Sequence, residues 1–62
     1  MKVEYNGTVH EFEKPMTILK LLAHLSLNRE SHLVVVNNKL VTEDSRLEKE
    51  DEVRLVRVIS GG

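Results

Sequence analysis

A chain of 62 residues with 40% hydrophobic and 31% charged side chains has the balance of one soluble globular domain. Its size is near the lower limit for a self-supporting core and leaves little room for an enclosed active site. A net charge of -1 and only two aromatics, Tyr5 and Phe12, argue against direct nucleic-acid binding, and the absence of cysteine removes disulfides, thiolate metal sites and thiol nucleophiles.

In chain order, Val3 and Tyr5 alternate with Lys2 and Glu4, and a second β-like run, Thr8 to Glu13, follows Asn6-Gly7. Asn-Gly between two such runs predicts an antiparallel hairpin, because both residues tolerate the positive φ of a type I′ turn. Lys14-Pro15 closes the second strand, since proline has no ladder donor and restricts the residue before it. From Thr17 the period changes: Ile18, Leu21, Leu22 and Leu25 form one stripe of an amphipathic helix, with Leu19 and Leu27 at its margins. Thr17 is the expected N-cap, Lys20 rules out a capping box, and Asn28 is the expected left-handed closing residue.

Leu33 to Val36, bounded by Asn37-Asn38, reads as a third strand that is apolar on both faces, and Leu40-Val41 as a short edge strand. Glu43 to Glu52 holds six acids against Arg46 and Lys49, a local charge of -4 (six minus two), with Leu47 as its apolar anchor. This connection is a solvated loop, or a surface that steers a basic partner. Val53 to Ile59 is the last strand, with Val53, Leu55, Arg57 and Ile59 on one face and Arg54, Val56 and Val58 on the other.

The order β-β-α-β-(short β)-β predicts an α+β fold in which one helix covers one face of a mixed, four- to five-stranded sheet. With the first and last strands parallel at the sheet centre, that arrangement is a β-grasp, occupying residues 1–62 as one domain. The apolar stretches are too short to span a bilayer and no signal-peptide core opens the chain, so a soluble, cytoplasmic protein is expected.

The chain ends on Ser60-Gly61-Gly62 directly after a strand. Such an end is either frayed or a slim, unshielded reactive tail, since neither glycine carries a Cβ to block a narrow channel or the terminal carbonyl. Elsewhere the candidates for chemistry are weak. His10, His24 and His32 fall on a strand, a helix and a loop without metal-ligand spacing, and Ser60 has no base arranged to activate it.

Met1-Lys2-Val3-Glu4-Tyr5-Asn6, Thr17-Ile18-Leu19, Leu21-Leu22, Val34 to Val41 and above all Val58-Ile59-Ser60-Gly61-Gly62 resemble the ThiS/MoaD group of ubiquitin-like sulfur carriers. The similarity is closest to ThiS-type and tRNA-thiolation carriers. Lys49-Glu50-Asp51 departs from it, since relatives often have a glycine there. The resemblance implies that a partner adenylyltransferase of the ThiF/MoeB, E1-like type uses ATP and Mg to adenylate the Gly62 carboxylate. A sulfur donor enzyme then converts it to a thiocarboxylate. A downstream thiazole synthase or tRNA-thiolating enzyme consumes the sulfur, so the protein is a carrier and not an enzyme, and binds no cofactor itself. The alternatives are a ubiquitin-like modifier conjugated through Gly62 and a plain interaction module.

At about 3.3–3.6 Å per extended residue, Ser60 to Gly62 reach on the order of 10 Å into a partner's channel. Ordering that tail costs about 1–2 kcal/mol per residue, so the globular part must supply binding energy. By strand parity the expected docking residues are Leu33 and Val35 on the third strand and Arg54, Val56 and Val58 on the last.

Overall fold

Two hairpins and one helix build the sheet around the final strand in a computed structural model that describes residues 1–58. Strand β1 (Lys2–Tyr5) pairs antiparallel with β2 (Thr8–Glu11), Tyr5 facing Thr8 across Asn6 and Gly7 at φ 52° and 80°. Both central residues are left-handed, as a type I′ turn requires. The second run is strand only to Glu11, but Phe12 extends the pairing by accepting from the Met1 amino group (2.9 Å) and donating to the Met1 carbonyl (2.9 Å).

Helix α1 (Ile18–His24) begins as expected, the Thr17 hydroxyl accepting from the Lys20 N–H at 3.2 Å. Ile18, Leu21 and Leu22 of its stripe are buried and Leu25 packs beside them. The helix ends earlier than expected, and its left-handed residue is Ser26 (φ 59°), not Asn28. Leu27 N–H donates to the Leu22 carbonyl (2.8 Å) and Ser26 N–H to the Ala23 carbonyl (3.1 Å), the paired bonds of a Schellman motif. Ending there turns Leu27 back onto the core. Asn28 has an extended backbone, and its side chain accepts from Glu30 N–H (2.9 Å) to cap the 3₁₀ turn Arg29–Ser31.

Strand β4 (His32–Val36) begins one residue earlier than the apolar run, placing His32 in the strand and in the interior rather than on a loop. Asn37 and Asn38, at φ 51° and 68°, turn the chain into β5 (Lys39–Val41). Two very short strands, β3 (Met16–Thr17) and β6 (Arg46–Leu47), pair antiparallel beside the main sheet. That pairing is invisible to periodicity because two residues have no period. It seats Leu47, the expected anchor, at full burial. The last strand, β7 (Glu52–Arg57), gains Glu52 relative to the sequence expectation, and Ile59 lies outside the described residues.

The main sheet runs β2-β1-β7-β4-β5, with β1 and β7 parallel and every other pair antiparallel. The helix covers one face, where Val3, Ile18, Leu21, Leu22, Val34, Leu47, Val53 and Leu55 form the core. This is the β-grasp arrangement, with five strands in the sheet and the β3/β6 pair in addition.

The left-handed position gives a direct test. Ser26→Gly should raise stability by about 1 kcal/mol, because a Cβ is disfavoured there. The thermal midpoint should rise by about 4–8 °C in scanning calorimetry. Asn28→Ala should lower it instead, since it removes the cap of the 3₁₀ turn.

Candidate functional site

Because α1 is the one helix of the sheet's covering layer, the opposite sheet face carries no element among the described residues. Cross-strand register sets its composition. One row reads Val9, Glu4, Arg54, Val35, Leu40 from β2 to β5, and beside it Val56 of β7 faces Leu33 of β4. The apolar part therefore lies over β7, β4 and β5, with charged Glu4 and Arg54 on its β1 side.

Leu33 (46% exposed), Val56 (40%) and Val58 (38%) are open to solvent, and Val35 between them is half-buried. These four and Arg54 are the residues that strand parity placed outward. Leu40, at 65%, belongs to the same surface and was missed. Its signal was present: a two-residue Asn37-Asn38 turn forces Lys39 opposite Val36, and so Leu40 opposite Val35. An apolar groove of about 460 Å³ continues past Leu33 and Leu40 toward Ile18 and Leu22, where the Arg29–Glu43 ion pair (3.2 Å) flanks it.

Arg54 Nε lies 3.9 Å from Glu4 Oε1, with both side chains more than half exposed. Such a pair contributes little to stability, so neither charge is committed to the fold. The acidic connection is different, because several of its acids serve local structure. Glu43 pairs with Arg29 at 3.2 Å, but as a surface pair that is also about half exposed it adds little. Asp44 accepts from the Thr42 hydroxyl, which, with a backbone N–H bond, holds its carboxyl below the usual carboxylate range. Asp51 accepts from Glu48 N–H (2.9 Å) and from Asn37 Nδ2 (3.1 Å), while Glu52 N–H donates to Asn37 Oδ1 (3.1 Å). The turn at Lys49-Glu50 therefore closes through the Asp51 side chain, and none of its residues adopts a positive φ that would call for glycine. These bonds tie the β4–β5 turn to the start of β7.

The three histidines lie on separate elements: His10 on β2, His24 at the end of α1 with its ring 5.2 Å from that of Phe12, and His32 at the start of β4. Among the described residues no group of three His, Asp or Glu side chains is arranged to hold a metal ion. No helix among them is long and apolar enough to cross a membrane.

The final strand sits in the middle of the sheet, between β1 and β4. Its pairing continues one residue past Arg57, where Val58 N–H donates to the Ser31 carbonyl at 2.7 Å. Ser60, Gly61 and Gly62 lie outside the described residues, so the structure takes the chain to the rim of the apolar face and no further. Sequence comparison extends across that boundary: the model described as the ThiS family matches residues 3–62. With its β-grasp sheet and a match spanning nearly every residue, the chain belongs to the ThiS family of small, ubiquitin-like sulfur carriers.

Proposed function

We propose that the Gly62 carboxylate is the working group of this carrier and that the outer face of β7, β4 and β5 docks the enzymes that act on it. The observation that carries this reading is one of connectivity. Val56 on β7 and Val58, one residue past its end, stand exposed just before Ser60-Gly61-Gly62 in the chain. An enzyme that grips this face therefore has the tail within reach, at about 3.3–3.6 Å per extended residue.

The chemistry is group transfer in two steps. A carboxylate is a poor electrophile, so an E1-like adenylyltransferase of the ThiF/MoeB type first uses ATP with Mg. A Gly62 oxygen attacks the α-phosphorus, pyrophosphate leaves, and an acyl adenylate forms. Hydrosulfide delivered by a donor enzyme then attacks the Gly62 carbonyl carbon, the acyl–oxygen bond to the phosphate breaks, AMP departs, and loss of the sulfur-bound proton leaves a thiocarboxylate. Sulfur arriving as an enzyme persulfide would first give an acyl disulfide, whose S–S bond a second thiolate must cleave. This chain contributes the acyl group, a tail without side chains at its last two positions, and the docking face. The consumer is a thiazole synthase of thiamin biosynthesis or, as the second reading, an enzyme forming 2-thiouridine in tRNA. The setting is cytoplasmic.

Incubation with ATP, the adenylating enzyme and a sulfur donor should raise the intact mass by the difference between sulfur and oxygen. High-mass conjugates would instead identify a protein modifier, and an unchanged mass despite demonstrated binding would remove both readings. Deleting Gly62, or replacing Gly61 by a bulky residue, should abolish this conversion while leaving the melting temperature unaltered.

Val56→Asp places a charge in the apolar patch, directly opposite Leu33. It should raise the Kd for the adenylating enzyme by about tenfold or more, the effect of losing a buried interface contact. Circular dichroism should show the same fold, and undiminished affinity would remove the docking face from the proposal.

A further inference from the structure

His32 is the one buried polar side chain among the described residues, and an imidazole is not what an aliphatic core calls for. Its Nδ1 lies 2.8 Å from the Asn28 carbonyl oxygen and its Nε2 lies 3.0 Å from the Tyr5 hydroxyl. A carbonyl only accepts, so Nδ1 carries a proton and donates it to Asn28, while Nε2 is bonded to the Tyr5 hydroxyl, a group that can both donate and accept. The Asn28 carbonyl also accepts from the Ser31 N–H (3.1 Å) and the Ser31 hydroxyl (3.1 Å). Ser31 in turn presents its own carbonyl to Val58 N–H, beyond the end of β7, while His32 itself stands opposite Arg57. One ring therefore ties the end of β1, the 3₁₀ turn and the start of β4 together at the rim where β7 runs out.

We propose that His32 is a positioning residue: by holding the Asn28–Ser31 turn against Tyr5, it fixes the Ser31 carbonyl and hence the point, Val58, at which the chain leaves the sheet. Its value for the reaction rests on the sulfur-carrier reading, in which a fixed exit point at Val58 leaves less orientation to achieve when the Gly62 carboxylate is brought to the adenylating centre. The anchoring of Val58 does not depend on that reading. A leucine at position 32 would fill much of the same space while leaving the Asn28 carbonyl only its two Ser31 donors and taking from the Tyr5 hydroxyl its ring partner, so the turn would no longer be tied to β1. An asparagine can still donate toward Asn28.

The test compares His32→Leu, His32→Asn and Tyr5→Phe in the full-length chain. Amide hydrogen exchange read by NMR should show Val58 exchanging about tenfold faster relative to Val53 and Leu55 in His32→Leu, the scale of one net hydrogen bond. His32→Asn should recover part of the protection. If His32→Leu fails to fold, Tyr5→Phe carries the comparison. A Val58-to-Leu55 protection ratio equal to wild type in the folded variants overturns the anchoring. With the adenylating enzyme, the least protected variant should lose kcat with KM within about twofold, since the docking face is untouched. A rise in KM alone, or no change in kcat, overturns the orienting role. If wild-type protein is not adenylated at all, the carrier reading has failed and the orienting role with it, while the exchange ratio still decides the anchoring.

Discussion

The parallel pairing of β1 with β7 is the constraint on which the rest of the molecule depends. Parallel neighbours cannot be joined by a tight turn, so the chain must cross over between Tyr5 and Glu52 before β7 can enter the sheet beside β1. The helix, the β4–β5 hairpin and the acidic connection are the route it takes. The pairing also commits folding to a long closure, since the first strand gains its central neighbour only after nearly the whole chain has been placed. It is secured at its start by Lys2 N–H donating to the Asp51 carbonyl (3.3 Å) and by the Asn37, Asp51 and Glu52 bonds.

A sheet with one helix has one covered face. In a 62-residue chain there is no second layer among the described residues to cover the other, and ordinary sheets of this kind make that face polar. Here, apart from Val9 on β2, the charged side chains gather around Glu4 and Arg54, and the face is apolar where Leu33, Val35, Leu40 and Val56 of β4, β5 and β7 are neighbours. Aliphatic side chains left this exposed, next to the strand that continues into Gly61-Gly62, make sense as half of an interface. The acidic connection is likewise partly structural, since the carboxylates of Asp44 and Asp51 bond within its turns.

Local signals were legible wherever a few adjacent residues decide the conformation. Asn6-Gly7 specified its turn because φ > 0 is cheap for those residues, Thr17 its cap, and the Ile18, Leu21, Leu22 stripe its buried face. Alternation in the last strand determined which side chains turn outward, and the terminal Ser60-Gly61-Gly62 carried the family resemblance. Where two residues could do the same local job, the sequence did not choose between them. Asn28 is the better left-handed residue by type, yet Ser26 takes that role because stopping there returns Leu27 to the core.

What only the tertiary structure decided are relations between distant segments. The β3–β6 pairing joins residues about thirty positions apart that show no pattern of their own. Leu40 joined the outer face through its register with Val35. His32 looked like a loop histidine until β4 was seen to begin with it, opposite Arg57 and against Tyr5. Backbone propensity and side-chain alternation are written into neighbouring residues and can be read from them. Burial, cross-strand partners and the hydrogen bonds of a buried ring are properties of what the chain brings together, and exist only once it has folded.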